Sequence, residues 1–143
     1  MTIRTLLRWL LAVVYFGVGI VHLRNPAAFL PIMPDWVPAP VLVVRLTGVW
    51  ELLGAGLLAW PHARANWWGG AAMAAYAVAV FPANIKHAVD GIAIGGAVLG
   101  WSYHAPRLLF QPVFVWWALW VGRVTDWPVR RHSGLQRRHH ERS

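Results

Sequence analysis

Glu51 lies ten residues into an apolar run that starts near Val41. A carboxyl group in that position is either protonated or paired, because a low-dielectric medium disfavours its charged form. In either state it can exchange protons with a bound molecule. Thr47 precedes it by four residues and shares its helix face. Arg45 precedes it by six, which places that cation about 120° round the helix, from where it can snorkel outward.

Other polar side chains sit at matching depth in the other apolar runs. Tyr15 and His22 are seven apart on one helix face, Asn84 ends a third run, and Arg107 stands one turn before Gln111 at the start of a fourth. If the runs are antiparallel helices, Glu51, His22, Asn84, Tyr15, Thr47 and Gln111 converge on a small pocket near one membrane surface. Arg45, Lys86 and Arg107 then form its rim. Taken singly, each residue has an ordinary structural use: Glu51 can fix helix register, Asn84 can cap a helix and Arg107 can anchor one at the interface. The convergence is what points to a shared site, since ionisable groups in lipid are expensive. The opposite half of the bundle offers almost nothing polar.

The surrounding chain has the composition of a membrane protein. Of 143 residues, 58% are hydrophobic and only 13% charged, against about 25% in soluble domains, and the mean hydropathy is +0.47. The fold class expected is all-α: a four-helix transmembrane bundle in one domain, 1–125, with helices at about 6–22, 41–60, 65–82 and 108–124. A basic cytoplasmic tail, 126–143, is expected to be disordered. The first run is not read as a cleaved leader, because Val21-His22-Leu23 is a poor cleavage site. Trp9, Trp36, Trp60, Trp67, Trp68, Trp101 and Trp127 fall near run ends, where indole settles at the headgroup level. Trp50, Trp116, Trp117 and Trp120 fall inside runs and are read as packing residues.

With the N-terminus inside, nine Lys and Arg residues lie on inner segments and three on outer loops. This predicts both termini on the cytoplasmic side of a bacterial inner membrane. The first outer loop, 22–40, holds five prolines and cannot be a regular helix throughout. The second, 82–107, contains the short apolar run 92–99, a candidate re-entrant or interfacial segment. Ala71, Ala75 and Ala79 repeat at small-xxx-small spacing, which fits close packing inside the bundle or, alternatively, a homo-oligomer face. The net charge of +8 clusters at run ends, so no nucleic-acid partner is expected; the bilayer is the expected partner. With no cysteine, disulfides, zinc–thiolate sites and thiol relays by this chain alone are excluded. His132, His139 and His140 in the tail fit a solvated anchor rather than a metal site.

Several of these segments are similar to the DoxX family of small four-helix bacterial membrane proteins. His22, Pro26, Phe29, Pro34 and Pro38 resemble its first-loop pattern. Gly48-Val49-Trp50-Glu51-Leu52-Leu53-Gly54 resembles its second-helix motif, Phe81-Pro82-Ala83-Asn84-Ile85 the end of its third helix, and Arg107 with Gln111 the start of its fourth. The likeness covers roughly 6–121. It implies association with membrane redox complexes, one member being a subunit of a thiosulfate:quinone oxidoreductase, but it carries over no catalytic residue.

Three functions therefore stand. The chain is a membrane subunit or accessory of a redox-associated complex with a redox partner subunit, in which a quinone is the cofactor to consider. Alternatively it is a non-enzymatic assembly or scaffold protein, or a small-molecule or proton transporter. A b-type haem is not expected, because only His22 lies near a helix core.

Overall fold

The structure, a computed structural model, describes residues 2–94, 97, 98 and 100–127. The basic tail from Arg130 onward lies outside the described residues. The architecture is helical: α1 (Ile3–Arg24), a 3₁₀ helix (Pro26–Ile32), α2 (Pro40–Ala59), α3 (Ala63–Ala79), α4 (Phe81–Val89), α5 (Trp101–Leu109) and α6 (Gln111–Val121). A two-residue antiparallel ladder joins β1 (Ala93–Ile94) to β2 (Ala97–Val98). Three helical stretches are long and apolar enough to cross a membrane: Ile3–Arg24, Pro40–Ala59 and Ala63–Val89.

Proline sets most of the breaks. Pro82 has no N–H for the Val78 carbonyl, so the third stretch is interrupted at Val80 and resumes as α4. Pro112 likewise leaves the Leu108 carbonyl without its helical donor, and the expected fourth helix is two helices meeting at Phe110. Between Pro38 and Pro40, Ala39 is forced to a left-handed φ of 47° as α2 begins. The 22–40 segment is irregular except for the 3₁₀ turns, as its prolines require. The 82–107 segment, read as an outer loop, is mostly helical, as α4 and α5, and within its apolar run Ala93–Ile94 pairs with Ala97–Val98 as the β ladder.

α1 packs along α2, α2 along α3, α3 along α6, and α6 returns to α1. Glycines set the closest approaches. A Cβ on Gly19 would sit 2.9 Å from the Gly48 carbonyl oxygen, and one on Gly48 would sit 2.9 Å from both the Gly19 carbonyl oxygen and His22 Cβ. Gly70 and Gly122 make the equivalent contact between α3 and α6. These backbone contacts need no Cβ, as in other small-residue helix pairs in lipid. The alanine face expected to pack inside the bundle does not: Ala75 and Ala79 are exposed, while Gly69, Gly70 and Met73 turn inward. Trp50 also faces outward, 48% exposed, with its indole N–H donating to the Ala72 carbonyl.

The two ends of the bundle differ. At the end carrying the N-terminus, here the basic end, Leu11, Leu58, Met73 and Val121 close a tight core. That end is also more polar than the sequence led us to expect. Asn66 is buried and donates to the carbonyls of Leu57, Leu58 and Trp60, satisfying the C-terminus of α2. Arg8 donates to Asn66 Oδ1. Arg4 bonds the Trp120 and Thr125 carbonyls and pairs with Asp126 at 3.0 Å. The opposite end carries the 3₁₀ helix, α4 and α5, and is here the loop end.

Gly48→Val is expected to lower stability by about 1–3 kcal/mol through overpacking of the α1–α2 crossing. Gly17→Val, where a Cβ meets open space, should leave it within about 0.5 kcal/mol. Unfolding curves in detergent would compare the two.

Candidate functional site

The glycine crossing brings α1 and α2 so close that side chains one turn away must touch. His22 lies three residues after Gly19, and Glu51 three after Gly48. Their side chains meet at 2.7 Å between His22 Nδ1 and Glu51 Oε2. Glu51 is 1% exposed and His22 8%. Neither of the two contacting atoms has an aligned hydrogen-bond partner. The contact is close and electrostatic, yet it leaves donor and acceptor capacity unused in a place where unused capacity is costly. Phe29 of the 3₁₀ helix stands edge-on to the His22 ring at 4.2 Å and fixes its orientation.

His22 and Glu51 form one wall of a cavity of about 310 Å³ between the four packed helices at the loop end. Apolar groups supply most of its lining, among them Leu11, Val14, Ile32, Val44 and Phe114. Tyr15 and Tyr76, ring centroids 6.0 Å apart in an edge contact, face it across α1 and α3. The Tyr76 hydroxyl adjoins the Glu51 carboxyl and the Thr47 hydroxyl. Thr47 donates to the Val44 carbonyl at 2.7 Å, which turns its methyl group and oxygen in a fixed direction.

The opposite wall is a chain of hydrogen bonds. His87 Nδ1 lies 2.7 Å from Arg107 Nη1, and Arg107 Nη2 donates to Asn84 Oδ1. Asn84 Nδ2 donates to Gln111 Oε1 at 3.1 Å, and Gln111 Nε2 donates to the Ala77 carbonyl. The Ala77 carbonyl is near the break that Pro82 imposes. The network therefore ties α3, α4, α5 and α6 together just where proline has interrupted two of them.

The structure brings Tyr15, His22, Thr47, Glu51, Asn84 and Gln111 to one cavity, with Arg107 in its wall. The other two rim residues stand elsewhere. Arg45 is exposed on the outer face of α2, beside Ala39 and Val41, because six residues of helix carry it away from the face of Glu51. Lys86 pairs with Asp35 at 2.6 Å, and with Asp90 at 3.9 Å, fastening the segment after the 3₁₀ helix to α4 instead of facing the cavity.

Sequence reasoning missed Tyr76, His87 and His104. Tyr76 had a signal: with Val80 and Asn84 it repeats at four-residue spacing. His87 and His104 had none while 82–107 was read as loop. Both are buried, and their rings touch edge to face with centroids 4.6 Å apart. That contact leaves no space for a macrocycle between them. Among the described residues, no group of three potential metal ligands comes together.

Residues 11–122 match the family described as Domain of unknown function (DUF8561), and the chain belongs to that family. The matched segment contains every residue of the cavity wall. No curated protein and no solved structure matches the chain.

Gln111→Met removes both bonds of that side chain and leaves Asn84 Nδ2 without an acceptor. It is expected to cost about 1–3 kcal/mol, read as earlier unfolding in detergent. An unchanged unfolding curve would contradict the role given to this network.

Proposed function

We propose that the chain is a multi-pass protein of the bacterial cytoplasmic membrane, a four-helix transmembrane bundle with both termini inside. In this reading it serves as a subunit or accessory of a redox-associated complex and holds a quinone-type ring in its cavity. For the topology, the support is three helices of spanning length and apolarity, and α5 and α6 in tandem, whose about 21 residues reach roughly 31 Å. The basic end carries Arg4, Arg8, Arg64 and Arg123, in keeping with an inner surface. The likeness to the DoxX family belongs to the same proposal: Glu51 of its second-helix motif and Asn84 of its third-helix motif both line the cavity.

One observation carries the ligand proposal. An apolar, aromatic-walled cavity of about 310 Å³ has unsatisfied proton-exchanging groups on one side and a fixed cationic hydrogen-bond network on the other. That volume is at the lower end for small-molecule sites, about 300–1,000 Å³, so it takes a ring or headgroup and leaves a tail in lipid. A bound quinone supplies two-electron chemistry, with electrons delivered by a partner subunit. This chain's residues orient the ring between Tyr15 and Tyr76, exclude water, and exchange protons at Glu51 and His22.

A second reading, a non-enzymatic assembly protein, draws on the exposed small-residue face of α3 at Ala75 and Ala79. Transport has less in its favour, because the closed core around Leu58 and Met73 interrupts any polar path towards the basic end.

Purification in mild detergent from quinone-replete membranes, followed by solvent extraction, tests the redox reading. Quinone should accompany the wild-type protein. Glu51→Gln should insert and fold normally yet fail to restore the phenotype of a gene deletion. Quinone-free protein even with its partner attached, together with full complementation by Glu51→Gln, would refute it.

A further inference from the structure

We infer that the cavity binds its occupant as an anion: a small amphipathic molecule whose one negatively charged oxygen pairs with Arg107 while its apolar body fills the space beside Tyr15 and Tyr76. This deepens the reading above by naming the charge state of the ligand, and it rests on the same cavity.

The setting of Arg107 carries the inference. Three ionisable side chains with a charged form near neutral pH line the cavity: Arg107, His22 and Glu51. The Arg107 guanidinium is always protonated. His22 and Glu51 touch and are engaged with each other.

Among the described residues no carboxylate stands at salt-bridge distance from Arg107. Asp35 and Asp90 are engaged with Lys86, and Asp126 lies at the basic end with Arg4. Arg107 instead contacts three neutral partners: Asn84 Oδ1, His87 Nδ1, and the Tyr103 ring 5.9 Å from the guanidinium carbon. Accepting from a guanidinium keeps the His87 Nδ1 unprotonated, so His87 adds no charge and offers no anion. A half-buried guanidinium held rigidly by neutral acceptors, with donors to spare, is the arrangement that recognises an oxyanion. Its five N–H groups exceed the two bonds it makes to Asn84 and His87.

The opposite wall excludes a second anionic group on the ligand. Glu51 lines that wall and is nine-tenths buried or more, with its Oε2 against His22 Nδ1 at 2.7 Å. A neutral hydroxyl or carbonyl can sit beside it, whereas a second carboxylate would be desolvated there with no guanidinium to pair with. The chemistry selected is thus a monoanion with an apolar body and, at most, a neutral polar group at its far end. An ionised acidic phenol or hydroquinone meets this description, and so does an aliphatic acid.

The test uses full-length protein in nanodiscs of phosphatidylcholine, with protein-free discs subtracted. Equilibrium binding is measured for pentachlorophenolate and for its methyl ether, pentachloroanisole, which has the same body without the charge. The phenolate should bind at least about tenfold more tightly than the ether, the size of one charge-assisted bond. Arg107→Gln should bring the two within about twofold, and Arg107→Lys, which keeps the charge, should retain most of the preference. Equal binding of phenolate and ether to the wild type overturns the inference without recourse to any variant. So does a preference that survives in folded Arg107→Gln.

Competition separates this inference from the quinone reading. Displacement by decylubiquinone supports a ring site. If decylubiquinone fails to compete while decanoate displaces the phenolate in an Arg107-dependent way, the anionic pocket stands as an acid-binding site and the quinone reading falls. If decylubiquinone binds but the phenolate has no advantage over its ether, the quinone reading stands and the anion inference falls.

Discussion

The contact between His22 and Glu51 depends on two glycines. Inside an apolar bundle a carboxyl and an imidazole are each costly, and each lowers the cost of the other only at close range. Gly19 and Gly48 let the backbones of α1 and α2 approach until the carbonyl oxygen of each stands only 2.9 Å from where the other's Cβ would be. One turn further, the two side chains have nowhere to go but against each other, 2.7 Å apart. The placement is thus a consequence of helix packing. Any change that widens the crossing by a methyl group separates the pair and leaves two polar groups stranded.

From that point the bundle diverges in character towards its two ends. Towards the basic end, Leu11, Leu58 and Met73 fill the space between helices, and Gly70 against Gly122 draws α3 onto α6. Asn66 and Arg4 then satisfy the backbone carbonyls exposed where α2 ends and α6 terminates, and Arg8 holds the Asn66 side chain. Towards the loop end the helices are broken by Pro82 and Pro112 and cannot pack as closely. The gap becomes the cavity. The side chains that link the broken helices to one another, Asn84, Gln111 and Arg107, form its far wall.

The positions of the first three helices were legible in the sequence because long apolar runs bounded by Arg, Trp and Pro have few alternatives. The convergence of Tyr15, His22, Thr47, Glu51, Asn84 and Gln111 was also legible, since helix periodicity and antiparallel order fix both face and depth. What escaped were features that depend on three-dimensional neighbours. The 82–107 segment reads as loop, yet Pro82 and Pro106 are accommodated in helices, and that carries His87 and His104 into a buried contact. Asn66 carried no signal in the sequence, and only the fold of α3 back onto α2 makes it a cap for three carbonyls. Ala71, Ala75 and Ala79 carried the expected spacing, but glycine permits closer approach than alanine, and the glycine face of α3 won the interior.

The account stands or falls on energetic coupling across the glycine crossing, and a double-mutant cycle measures it directly. Unfolding free energies in detergent would be compared for the wild type, His22→Gln, Glu51→Gln and the double variant. Residues in direct contact inside the protein should show a coupling energy of about 0.5–3 kcal/mol. Additive losses, agreeing within about 0.3 kcal/mol, would mean that the two side chains do not sense each other and that the site as described does not exist.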